Sequence, residues 1–177
     1  HAGKNIITAG DGDNYMELYS YSGETKITAG NGDNEIKIAS DTESGYCLYN
    51  IDLGNGKNKI YSANNSDGNN IVTGYNIKTG EGIDTINIGA DYRYWDKNAT
   101  ENPHYEYSSI DTGAGNDIIT NTHYSTDYNK IELTDDGNGN EVVQTLTISG
   151  GAGDDTISSN YGVLKGGEDN DTYILNR

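Results

Sequence analysis

The chain has no phenylalanine and only one proline, one cysteine, one methionine and one tryptophan among its 177 residues. A single cysteine excludes a disulfide framework, and Cys47 is expected to act as a small buried hydrophobe. No run of about 18 apolar residues occurs, so no membrane-spanning helix is expected. Basic residues are scarce: 11 lysines and arginines stand against 28 acids, a formal net charge of -17. That balance argues against nucleic acid and anionic membranes as partners. Apolar residues make up only 32%, too few for a thick core. Low hydropathy with high charge is the composition of disordered chains. Fifteen tyrosines and 24 glycines beside one proline point instead to short strands joined by glycine-rich turns. Stabilisation must then come from outside the core. Oxygen ligands are plentiful while thiolates and imidazoles are few, so a hard cation is the expected helper.

The glycines are not scattered. Aligning the chain on glycine pairs gives eight registers, anchored at Gly10, Gly30, Gly54, Gly80, Gly113, Gly137, Gly151 and Gly167. A second glycine follows two residues later at Gly12, Gly32, Gly56, Gly82, Gly115, Gly139 and Gly153, and Asp169 alone breaks the series. Four residues after the anchor stands a short oxygen-bearing side chain: Asn14, Asn34, Asn58, Asp84, Asp117, Glu141, Asp155 and Asp171. Six residues after it every position is apolar or aromatic: Met16, Ile36, Ile60, Ile86, Ile119, Val143, Ile157 and Tyr173. Three residues before it stand Ile7, Ile27, Ile51, Ile77, Ile110, Thr134, Ile148 and Leu164, with Thr134 the one polar member. Agreement this far outside the turn marks a true repeat.

Each unit reads as strand, glycine turn, strand. Segments such as EIKIA, DTINIG and TLTIS alternate with the period of two that half-buried strands require, and no segment shows helical spacing. The anchors are 20, 24, 26, 33, 24, 14 and 16 residues apart, about one strand-turn-strand with a return loop. The expected fold is all-β, a parallel solenoid with isoleucine ladders inside and glycine turns along one edge. The return side varies in length. Residues 91–108, DYRYWDKNATENPHYEYS, form its longest insertion, and NSDGNNIV at 65–72 reads as a further glycine turn on the opposite edge. At Gly137 the phase breaks down, because 14 residues barely complete a coil.

Alternate glycines free the backbone to turn its carbonyl oxygens inward. Stacking two such turns faces two sets of carbonyls and two carboxylates across a narrow gap. Six or so oxygens at about 2.3–2.6 Å satisfy calcium, whereas magnesium demands stricter octahedral geometry. A cation there would also neutralise acids that repel one another between coils.

The stretch GGAGDDTIS at 150–158 resembles the nine-residue repeat of the repeats-in-toxin (RTX) family, G-G-x-G-x-D-x-apolar-x. TGAGNDIIT at 112–120, TGEGIDTIN at 79–87 and GGEDNDTYI at 166–174 each match with one departure. The resemblance implies a parallel β-roll over residues 1–177 with several calcium ions between successive turns. It further implies a non-catalytic domain of a secreted bacterial toxin, adhesin or surface protein that folds on calcium after export. The start at His1 without methionine or leader is read in the same light, as that of an excerpt from a longer protein.

Carried over position by position, the resemblance makes Asp84, Asp117, Asp155 and Asp171 carboxylate ligands. Carbonyls around Gly80, Gly82, Gly113, Gly115, Gly151 and Gly153 complete their sites. Asp154, Glu141, Asp13 and Asp33 extend the candidate set, together with Asn14 and Asn34, whose turns depart from the pattern. An amide oxygen is neutral, so the asparagine turns are expected to bind more weakly or to hold together by side-chain hydrogen bonds alone. Tyr92, Tyr94, Trp95, Tyr105 and Tyr107 cluster in the long insertion. They are expected to fold back over the stack. The alternative reading is a carbohydrate- or surface-binding module, with these rings stacking on glycans. No nucleophile has a positioned base, so no active site is expected.

Overall fold

The computed structural model describes residues 3–20, 23–40, 45–62, 71–89, 93–96, 104–122, 132–135 and 141–175. Among these residues every regular element is a strand. Two seven-stranded sheets run through the molecule, and every neighbouring pair within them is parallel. The first holds β1 (Gly3–Thr8), β3 (Gly23–Ala29), β5 (Gly45–Leu53), β7 (Ile71–Lys78), β11 (Ser109–Asp111), β15 (Thr147–Ala152) and β17 (Val163–Glu168), in that order. The second holds β2 (Tyr15–Ser20), β4 (Glu35–Ser40), β6 (Lys59–Ser62), β8 (Thr85–Ile88), β12 (Ile118–Asn121), β16 (Thr156–Ser158) and β18 (Thr172–Ile174), in the same sense. A glycine turn carries the chain from each strand of the first sheet into its partner in the second. One such strand-turn-strand unit is called a rung below.

The expected columns are in register. Ile7, Ile27, Ile51, Ile77, Ile110, Ile148 and Leu164 pair in sequence across the first sheet. Met16, Ile36, Ile60, Ile86, Ile119, Ile157 and Tyr173 do so across the second. Alternation of side chains along each strand sends these columns inward, and the isoleucines from Ile27 to Ile157 are buried. A further inward column places Tyr49 against Tyr75, rings stacked with centroids 5.4 Å apart, and Cys47 is buried beside them, as expected of a small hydrophobe.

Seven of the eight registers form rungs. The eighth, at Gly137, does not. Its flanks, β13 (Glu132–Asp135) and β14 (Glu141–Gln144), pair with each other antiparallel in a sheet of their own. β11 pairs directly with β15, so the turn at Gly113 stacks on the turn at Gly151. The physical reason lies in length and pattern. Fourteen residues separate Gly137 from Gly151, and Thr134 offers no apolar side chain to the inner column.

The long insertion contributes β9 (Arg93–Asp96) and β10 (His104–Tyr107), an antiparallel pair in which Trp95 stands opposite Tyr105. β9 passes near β5 and β7, which brings this hairpin against the first sheet. Tyr92, Gly137, Gly139 and most of the 65–72 turn lie outside the described residues.

Candidate metal centre

From the second rung to the sixth the turns stack so closely that a side chain on the second glycine (Gly32, Gly56, Gly82, Gly115 or Gly153) would strike the backbone of the rung before it. Gly82 and Gly115 have φ of 143° and 149°, and a Cβ on Gly115 would strike the Gly82 carbonyl oxygen. At Asp169, where the series lacks its glycine, the residue still takes φ 78°, a conformation aspartate tolerates better than most side chains. The second glycine's N–H crosses to the next rung: Gly32 donates to the Asn55 carbonyl at 2.8 Å, Gly82 to Ala114 at 2.7 Å and Gly115 to Ala152 at 2.8 Å.

Within this shared backbone the fourth residue after the anchor divides the stack in two. In the first three rungs it is asparagine, and its amide closes the turn. Asn34 Nδ2 donates to the Gly30 carbonyl at 3.3 Å, the Gly32 carbonyl at 3.0 Å and Asn58 Oδ1 at 2.9 Å. Asn14 serves Gly10, Gly12 and Asn34 Oδ1 at 3.2, 2.7 and 2.8 Å. Asn58 serves Gly54, Gly56 and Asp84 Oδ1 at 3.1, 3.4 and 3.0 Å. The asparagine turns thus hold together by side-chain hydrogen bonds, an amide ladder running from rung to rung.

In the last four rungs the same position is aspartate, which when ionised has no proton to give. One carboxylate oxygen takes over the link between rungs. Asp84 Oδ1 accepts from the Asn58 backbone N–H at 2.7 Å, Asp117 Oδ1 from Asp84 at 2.7 Å, Asp155 Oδ1 from Asp117 at 2.8 Å and Asp171 Oδ1 from Asp155 at 3.1 Å. The other oxygen is stranded. Asp84, Asp117 and Asp155 are 0%, 1% and 1% exposed, and Oδ2 of each is buried without a hydrogen-bond partner. An orphaned carboxylate oxygen is costly to bury and calls for a proton or a cation.

The protonation balance reflects this. Burial raises the Asp84 carboxyl above its usual range, against the nearby Thr79 hydroxyl and the Asn58 N–H groups, which favour its charged form. Burial pushes Asp117 up to about 6, opposed by the Asp84 N–H and Thr112 and reinforced by the charges of Asp84 and Asp155. Asp155 is raised chiefly by burial, with Asp171 and Asp154 adding repulsion.

The remaining candidates fall in different places. Asp13 Oδ1 accepts the Asp33 N–H at 2.8 Å, Asp33 Oδ1 the Lys57 N–H at 2.8 Å and Asp154 Oδ1 the Asn170 N–H at 2.9 Å. These exposed acids tie the outer side of one turn to the next. Glu141 starts β14 in the separate hairpin, away from the stacked turns, for the reason that removed its register from the stack. Gly80, Gly82, Gly113, Gly115, Gly151 and Gly153 all lie in the stack, in the three turns that carry the stranded carboxylates.

One feature escaped the sequence reading, the residue just before the anchor. In the asparagine rungs it is Ala9, Ala29 and Leu53, and in the aspartate rungs Thr79, Thr112, Gly150 and Gly166. A Cβ built on Gly150 or Gly166 would collide with Oδ2 of Asp155 or Asp171, so this position borders the carboxylate directly. Reading the alignment one column further would have shown the change in chemistry.

Among the described residues no three His, Cys, Asp or Glu side chains gather into a metal-binding group. A cation in these turns would therefore draw on single carboxylates from successive rungs and on backbone carbonyls. The donor set consists of oxygens alone, and the stranded Oδ2 atoms are the kind of atom a hard cation satisfies. No family model matches the chain, and neither the curated proteins nor the solved structures contain a significant match to it.

Proposed function

We propose that this chain is a non-catalytic calcium-binding β-roll of the repeats-in-toxin kind, part of an exported bacterial protein, whose aspartate rungs complete their folding when calcium binds. The observation that carries this reading is the row of buried, partnerless oxygens on Asp84, Asp117 and Asp155. Asp84, Asp117, Asp155 and Asp171 would supply the carboxylates, and the turn carbonyls the rest. Bound calcium neutralises the buried charge and links adjacent rungs. Because the cation binds only where the turns are stacked, it shifts the equilibrium toward the folded state by mass action. With dissociation constants of about 10⁻⁴ to 10⁻³ M, each site would add about 0.4 to 1.4 kcal/mol at 1 mM calcium. Several sites acting together would move a marginal domain from largely open to closed. Low cytoplasmic calcium would leave the chain loose enough for export, and the higher level outside would close it.

Circular dichroism and thermal unfolding across a calcium titration test this directly. Strand content and Tm should both rise from chelator to millimolar calcium. Identical spectra and Tm in chelator and in calcium would overturn the reading.

A further inference from the structure

The aspartate rungs are not alike. Thr79 and Thr112 stand before the anchors of the turns that carry Asp84 and Asp117, whereas Gly150 and Gly166 precede those that carry Asp155 and Asp171. Both threonines are buried, at 2% and 0% exposure. The Thr79 hydroxyl lies 3.0 Å from the Thr112 carbonyl oxygen and close to the Asp84 carboxyl. It has one proton for these two acceptors. The Thr112 hydroxyl lies 3.0 Å from the Gly150 carbonyl and 3.4 Å from that of Ser149, and it also reaches the Asp117 carboxyl. The Ser149 carbonyl already accepts the Thr112 N–H, so one hydroxyl proton is left for the Gly150 carbonyl and the Asp117 carboxyl. However these hydroxyls rotate, each turn holds more buried oxygens than hydrogens to place between them. The asparagine rungs show the opposite arrangement: the amide brings its own protons, and the same position is filled by buried Ala29 and Leu53.

We infer that Thr79 and Thr112 each present their hydroxyl oxygen to a cation held in their turn, so that the stack contains two classes of site. The threonine-lined class comprises the turns of Asp84 and Asp117, and the glycine-lined class those of Asp155 and Asp171. Donating its proton to the neighbouring carbonyl leaves each hydroxyl's lone pairs facing the carboxylate, an arrangement favourable only with a positive charge between them. At Gly150 and Gly166 no side chain can take this role, since any Cβ would meet the carboxylate. A carbonyl or a water must complete the shell there. This inference rests on the calcium reading above.

The test compares the whole chain with its T79V/T112V and T79S/T112S variants, using calcium alone as the probe. Calorimetric titration reads affinity and stoichiometry, and thermal unfolding is followed in chelator and at 1 mM calcium. The valine variant should lose on the order of 10- to 100-fold in affinity at two sites, while the others keep theirs. Its Tm deficit should be larger in calcium than in chelator. The serine variant, which keeps the hydroxyl, should bind as the parent does, and it carries the test should the valine variant fail to fold. Equal Tm deficits with and without calcium, or unchanged affinity in the valine variant, would overturn the inference while leaving the calcium reading intact. A serine variant that folds yet binds as weakly as the valine variant would do the same. A parent chain that binds no calcium would overturn both.

Discussion

Asn34 and Asp117 occupy the same place in two turns built on the same glycine-supported backbone, yet one turn is complete and the other is not. The two side chains have nearly the same shape and differ in their hydrogens. An amide nitrogen brings two protons to a site crowded with carbonyl oxygens, and the asparagine rungs close on themselves. A carboxylate brings none, and its second oxygen is buried without a partner. The difference teaches that the backbone of this stack is indifferent to what fills the turn, provided that positive charge or protons balance the oxygens. The N-terminal half carries its own. The C-terminal half leaves Oδ2 of Asp84, Asp117 and Asp155 without a partner, and under the proposed function solution supplies what is missing.

The comparison can be broken most violently at the backbone the two halves share. G56A and G115A should each cost on the order of 3–5 kcal/mol, because φ is 136° and 149° and the new Cβ would strike a carbonyl of the neighbouring rung. Denaturant unfolding should show this loss with and without calcium. Full recovery of either variant in calcium would mean that the cation, not the glycine, sets the turn. The next effect moves the deficiency into the complete half. N34D removes the amide protons and buries a charge, which should cost about 2–3 kcal/mol in chelator. Millimolar calcium should restore part of that, and more of it when A29T is added. The reverse exchange, D117N, should gain about 1–2 kcal/mol in chelator and reduce the calcium-induced rise in Tm. A D117N chain less stable in chelator than its parent would refute the account of the stranded oxygen.

The smallest effect is the response to pH in chelator. The folded-state values of Asp84, Asp117 and Asp155 are raised, so the folded chain takes up protons before the unfolded one does. The resulting stabilisation is fully present below the ordinary value near 3.8 and is lost as pH rises through about 6 at Asp117. Tm in chelator should therefore climb as pH falls from 7 to 5. With calcium the trend should weaken or reverse, since protons compete for the same oxygens. D117N should flatten it.

Much of this arrangement was readable in the chain. The period of two in EIKIA or DTINIG identified the strands, and the columns three residues before and six after each anchor named the inward isoleucines. The Asp84, Asp117 and Asp155 positions followed from their place in the turn. The register at Gly137 counted as a repeat by its glycines, while its 14-residue spacing and the polar Thr134 already set it apart, and it forms no rung. The hairpins β9–β10 and β13–β14 were not foreseen, since strand pairing depends on contacts that no local pattern in those segments announces. Thr79 and Thr112 were passed over as departures from a glycine motif, although their coincidence with aspartate was visible in the same alignment.

Strand character, the place of each turn and the inward face are local properties, settled by alternation and by where glycine permits a positive φ, and the sequence alone carried them. Which turn lies on which was decided only in three dimensions. Asp117 meets the carboxylate of Asp155, 38 residues away, because β11 and β15 pair across everything between them. Whether an oxygen is satisfied depends on the atoms the next rung brings to it. That is why the asparagine turns close while three buried aspartates are left with an oxygen to share.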